Sequence, residues 1–179
     1  AGGKYDNNSE NSSYEYSLGL NGLGACATQC SSEYMNVKSY DGKSVYEISF
    51  EKGEPVTGLS ETELPRGQRR TGTVIRWKPD IDVFTDINVR DEYFQDVLKR
   101  QAVVNPNLLF VYRFQKEDGS FEEKKFIYEN GITDYVNEIA AGENLTSVQN
   151  WSADRVGRDR EDKSEYKVKM EFALTFSNK

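Results

Sequence analysis

The sequence predicts an α+β fold, a two-layer sandwich. Three observations predict it. Alternating, β-branched and aromatic segments come in pairs around turn signals such as Asp41-Gly42 and Asp118-Gly119, which is the pattern of antiparallel hairpins. Helical periodicity is confined to a few separate stretches and does not alternate regularly with the strands, so a parallel βαβ sheet is not expected. Aromatic residues make up 12% of the 179 residues and charged residues 30%, in both signs, a globular rather than a disordered composition. That length suffices for one domain with a core, or one domain and a short appendage.

Residues 1–24 form a glycine-punctuated loop whose middle, Asp6 to Ser13, is too polar to order itself by burial, and we read it as a mobile lid. Ala25 to Ser32, small and apolar, follows Gly22-Leu23-Gly24 and reads as a helix. Tyr34 to Tyr40 and Ser44 to Glu51 alternate as strands around Asp41-Gly42. Lys52 to Pro55 reads as a turn, and residues 56–70, with Pro65 and Gly67, as irregular. Thr71 to Trp77 is a third strand ended by Pro79-Asp80. Asp91 to Val104 places Tyr93, Phe94, Val97, Leu98 and Ala102 at helical spacing, and Asn105-Pro106-Asn107 stops it. Leu108 to Phe114 and Phe121 to Tyr128 make a hairpin around Glu117 to Ser120; Gly131 to Ala141 is a short helix. Residues 142–164 read as polar loop, and Tyr166 to Phe176 as a last, strongly alternating strand.

The formal charge is -7 and the pI about 4.8, so the chain as a whole lacks the basic face that gripping duplex DNA requires. No apolar run approaches the roughly 20 residues of a membrane span, and no signal-peptide pattern opens the chain. Cys26 and Cys30, with no histidine anywhere, make a poor zinc site. Their spacing places them on one helix face, and we read them as buried, reduced packing residues, with a disulfide or metal role as the alternative; reduced thiols favour a cytosol. The chain begins at Ala1 inside a glycine loop, and we expect it to be a piece with material before it.

Leu18-Gly19-Leu20-Asn21-Gly22-Leu23-Gly24 is the most informative segment. Three glycines ahead of a helix start allow a ligand to approach the backbone, and the free N–H groups of a helix start attract anions. Such a loop suits a triphosphate, or is a tight turn and nothing more. It is neither a Walker loop, which ends G-K-[ST], nor a Rossmann fingerprint, which needs a preceding strand and a downstream acid.

An ordered set of motifs resembles the ATP-binding domain of type II DNA topoisomerase B subunits, the gyrase B and topoisomerase IV B family. Ala1-Gly2-Gly3-Lys4-Tyr5-Asp6 is similar to the segment that opens the ATP lid. Tyr14 to Ala25 resembles the lid end and phosphate loop. Arg70 to Asp80 resembles the T-G-T-x-V-x-F-x-P-D strand; Asn105-Pro106, Tyr128-Glu129-Asn130-Gly131-Ile132 and Tyr135-Val136 follow in family order. Val168 to Leu174 resembles the strand that begins the transducer domain. Asn21 departs from the usual bacterial histidine and matches the eukaryotic type II enzymes, and the lid between Lys4 and Tyr14 is longer than usual.

The resemblance implies the C-terminal part of a Bergerat (GHKL) ATPase fold over residues 1–150, comprising lid, phosphate loop and the distal half of the domain, then a linker and the first transducer strand over 151–179. It implies that Gly2, Gly3, Lys4, Tyr14, Gly19, Leu20, Asn21, Gly22, Leu23, Gly24 and Thr73 bind ATP: Lys4 neutralises phosphate, Tyr14 reaches the nucleoside, residues 19–24 donate hydrogen bonds to the phosphates, and Thr73 lines the adenine pocket. The family's glutamate base, magnesium-holding asparagine and adenine-reading aspartate fall before Ala1, and its γ-phosphate lysine after Lys179. No catalytic residue and no metal ligand is therefore expected within the chain. Asp154, Asp159, Glu161 and Asp162, interleaved with Arg155, Arg158 and Arg160, read as solvated surface or linker. The implied parent is a cytoplasmic ATP- and magnesium-dependent topoisomerase that acts with DNA and an A-type subunit, and the chain alone is expected to self-associate. The alternative is a non-catalytic interaction module. Another ATPase of the same fold, of the mismatch-repair or chaperone kind, fits less well with the Thr71-Gly72-Thr73 strand and the Tyr128 to Val136 block.

Overall fold

The computed structural model describes residues 23–158, 160–162 and 165–178. The chain divides into two compact units, one ending at Asn88 and one beginning at Val89.

In the first unit, helix α1 (Gly24–Cys30) leads into strand β1 (Ser32–Asp41). β1 pairs antiparallel on one side with β2 (Ser44–Glu51) and on the other with β5 (Thr71–Pro79). The two short strands β3 (Glu54–Pro55) and β4 (Ser60–Glu63) both pair with β2. The β1–β2 turn forms because the Asp41 carboxylate accepts hydrogen bonds from the backbone N–H groups of Lys43 and Ser44, both at 2.8 Å, while Gly42 takes φ +103°. Those same two bonds hold the Asp41 carboxyl below the usual aspartate range.

Register separates the two faces of this sheet. Met35, Val37, Ile48, Phe50, Ile75 and Trp77 lie on one face; Tyr34, Asn36, Lys38, Glu47, Ser49, Glu51, Arg76 and Lys78 lie on the other. The polar face is laced by the Lys38–Glu47 ion pair. Of those six apolar residues only Met35 is buried, and Ile75 and Trp77 remain 53% and 46% exposed.

The second unit is built around helix α2 (Asp91–Val104) and helix α3 (Ile132–Ala140), with two hairpins: β6 (Phe110–Gln115) with β7 (Phe121–Phe126), and β8 (Gln149–Gly157) with β9 (Tyr166–Leu174). Its core is Ala102, Val103 and Tyr128, packed by Phe110, Phe126, Ile132 and Tyr135. The Asn105-Pro106 and Tyr128-Glu129-Asn130-Gly131 motifs meet here. Asn107 donates from its backbone to the Tyr128 carbonyl and from its side chain to the Glu129 carbonyl. Gly131 has φ +53°, and a β-carbon on it would sit 3.0 Å from Pro106 and 3.1 Å from the Val103 carbonyl oxygen.

The α+β class and the antiparallel hairpins stand as expected. Residues 142–164 are not all loop: Gln149–Gly157 is a strand, because β9 offers it a complete antiparallel ladder. Glu54–Pro55 and Ser60–Glu63 likewise become strands at the free edge of β2. The cysteines are a second correction, in their burial alone: both are exposed, because α1 buries none of its residues, while both are free, as the reduced reading expects.

Candidate functional site

Of the residues expected to bind ATP, Gly2, Gly3, Lys4, Tyr14, Gly19, Leu20, Asn21 and Gly22 lie outside the described residues, as does the lid. Leu23, Gly24 and Thr73 are described.

Leu23 is the N-cap of α1, 63% exposed, and its carbonyl accepts the first helical bond from the Ala27 N–H at 2.8 Å. Gly24 opens the helix. It does not lie in the left-handed region, and a β-carbon there would meet nothing within 4 Å. Neither backbone conformation nor packing among the described residues therefore requires glycine at this position. The far end of α1 is well anchored. The Ser32 hydroxyl, almost fully buried, donates to the Thr28 carbonyl at 2.6 Å, and the Gln29 amide donates to the Gly53 carbonyl at 2.5 Å.

Thr73 stands opposite Ser39 in the β1–β5 ladder, and their hydroxyls are 3.5 Å apart. Ser39 in turn faces Tyr46. These three hydroxyl-bearing residues form a polar row at one end of the apolar face, next to Val37, Ile48 and Ile75. An apolar floor bordered by hydroxyls suits a flat, partly polar ring. Sequence patterning does not mark Ser39 and Tyr46, since only the pairing register reveals that they share a row with Thr73.

Ser32, two residues past the end of α1, is paired with Pro79 and lies seven residues along β1 from Ser39, or about 23 Å at strand rise. The seven residues of α1 cover only about 10 Å. Gly24 and Thr73 therefore do not share a contact, and a ligand touching both would have to be elongated.

The Pro79-Asp80 end of the motif strand has a structural task. Asp80 is buried; its N–H donates to the Ser31 carbonyl at 3.0 Å, tying the strand end to the α1–β1 junction. One carboxylate oxygen accepts from the Asp82 N–H at 2.9 Å. Lys52 bonds Asp82 at 2.5 Å and holds that carboxyl below the usual aspartate range.

The acids expected to be solvated behave accordingly where described: Asp154 is exposed on β8, and Asp162 pairs with Arg160 at 3.7 Å on the surface. Among the described residues no group of three or more His, Cys, Asp or Glu could hold a metal ion, and no helix is long and apolar enough to cross a membrane.

No family model matches the chain. Among known proteins it is similar to the B subunit of DNA topoisomerase 4 from Salmonella typhimurium, 31% identical over 142 residues, which is 79% of this chain and 21% of that protein. It is also similar to the B subunit of DNA gyrase from Staphylococcus aureus, 30% identical over 137 residues, 76% of this chain and 20% of that one. Among solved structures it resembles the 43K ATPase domain of Thermus thermophilus gyrase B, crystallised with an aminocoumarin: TM-score 0.63, 26% identity, 77% of this chain and 37% of that one. The chain thus spans about a fifth of the length of the curated relatives it matches.

Proposed function

We propose, since this chain is homologous over three quarters of its length to the B subunits of type II DNA topoisomerases and to the ATPase domain of gyrase B, that it supplies the phosphate loop and one wall of an ATP site. The observation that carries the reading is the pairing of an open helix start at Gly24 with a hydroxyl row at Thr73, two contact points separated as an elongated ligand requires.

In this reading residues 19–24, with Gly2, Gly3 and Lys4, hold the triphosphate, Tyr14 reaches the nucleoside, and the Thr73 hydroxyl meets the adenine edge directly or through water. Gly24 is kept free of a side chain so that phosphate oxygens reach the backbone N–H groups at the helix start. Residues 1–150 act as lid, phosphate loop and distal ATPase half; 151–179 act as linker and first transducer strand. Leaving group and attacking water need a positioned base and a magnesium clamp. The residues that the family resemblance gives those tasks are not in this sequence, so the chain alone does not turn over ATP. Magnesium would enter with the nucleotide. The whole protein would use ATP-driven dimerisation to pass one DNA duplex through another, with an A-type subunit, in the cytoplasm.

Steady-state phosphate release tests the incompetence of the chain. Release stays at the level of the buffer blank. Turnover well above it that one substitution within the chain abolishes would overturn the reading.

A further inference from the structure

We infer that Cys26 and Cys30 form an exposed dithiol site that binds one soft monovalent metal ion of the copper(I) class, a site that the nucleotide reading does not use. Both thiols are free and exposed. Their spacing of four residues within α1 sets them on one helix face, one turn apart. Neither has a packing task, because α1 buries none of its residues. The backbone that carries them is held in place. The Thr28 hydroxyl donates to the Gly24 carbonyl at 3.0 Å, and the Ser31 hydroxyl to the Ala27 carbonyl at 2.8 Å. The Gln29 amide donates to the Gly53 carbonyl, and Gly53 lies against Cys30: a β-carbon on it would sit 3.5 Å from the Cys30 Cα. The two side chains are within reach of each other. Hydrogen bonding between the thiols, then slight loss of solvent and the charges of Cys26 and Glu54, push the Cys30 thiol above its ordinary value.

Helix geometry decides what the pair can hold. On an intact helix, β-carbons four residues apart are separated by about 5–6 Å. A disulfide needs about 3.5–4.5 Å. A direct S–S bond would therefore require the last turn of α1 to unwind against the bonds that hold it, whereas an ion set between the two sulfurs leaves the helix intact. Coordination number then decides between ions. Zinc takes four ligands. The chain has no histidine, and among the described residues no third Cys, Asp or Glu joins the two thiols in a metal-holding group. Magnesium and calcium take oxygen ligands. Copper(I) prefers soft thiolates, and two of them satisfy it in a linear bridge. Binding is not a redox step, since the ion stays monovalent. Each sulfur exchanges its S–H bond for a bond to the metal, two protons leave, and the bridged pair carries a single negative charge.

The test is a titration of the reduced 179-residue chain under anaerobic conditions against copper(I) held by excess bicinchoninate, followed by loss of the coloured complex. One ion per chain is expected. Because the second thiol binds intramolecularly, Cys26→Ser and Cys30→Ser should each weaken binding by about a hundredfold or more. Thr28→Cys added to Cys30→Ser returns the second thiol two residues from Cys26, where the side chains do not face each other, and should not restore affinity. Equal urea midpoints establish that the variants are folded. Copper uptake no stronger than that of the chain with both cysteines changed to Ser, affinity undiminished in either single variant, recovery with Thr28→Cys, or one ion shared between two chains would each overturn the inference.

Discussion

Gly131 is where a single residue's geometry is most demanding. At φ +53°, with Pro106 and the Val103 carbonyl oxygen 3.0 and 3.1 Å from any added β-carbon, Gly131→Ala combines backbone strain with a close contact. It should cost about 1–3 kcal/mol, read as a lowered urea midpoint. Nearby, Tyr128 donates to Glu138 at 2.5 Å, and Lys99 pairs with the same carboxylate. Lys99, then Tyr128, hold the Glu138 carboxyl below its ordinary value. A depressed folded pKa gives stability that is present above the ordinary glutamate pKa, about 4.3, and is lost as pH falls through the folded value. Glu138→Gln should therefore flatten the acid limb of the stability profile below about pH 4. Tyr128→Phe should cost about 1 kcal/mol at neutral pH. Sequence marks Gly131 and Tyr128 as parts of one motif. It does not show that the motif closes on Asn105-Pro106, because that contact joins segments more than 20 residues apart.

At the scale of elements, legibility depends on where the strand signal resides. β1, β2 and β5 alternate in their own side chains and are visible from sequence. β8 runs Gln149-Asn150-Trp151-Ser152-Ala153-Asp154-Arg155-Val156-Gly157, polar on both faces; it is a strand because β9 pairs with it. β4, Ser60-Glu61-Thr62-Glu63, is the same case. The β8–β9 ribbon has one strong side-chain pair: Trp151 faces Phe172, with rings 5.8 Å apart and 29° from parallel. A double-mutant cycle with Trp151→Ala and Phe172→Ala should give a coupling of about 0.5–1.5 kcal/mol. Additive losses would mean that the rings share a face without sharing energy. The site is legible to the same limited degree. Thr73 is marked by its motif, whereas Ser39 and Tyr46 reach it only through register.

At the scale of the whole molecule, the apolar sheet face of the first unit leaves apolar side chains exposed. Ile75 and Trp77 are half exposed on the edge strand β5, and exposed apolar edges recruit other chains. Sedimentation velocity should show concentration-dependent self-association, reduced by Trp77→Lys; a monomer at every concentration would contradict this. Whether Gly24 and Thr73 are two ends of one nucleotide site is decided by following backbone amides while the chain is titrated with millimolar ATP. Weak but saturable shifts are expected at Leu23, Gly24 and Thr73, all lost together in Gly24→Val while the unfolding midpoint is unchanged. Shifts of undiminished size in Gly24→Val, or none at any of the three residues in the unaltered chain, would contradict a shared site.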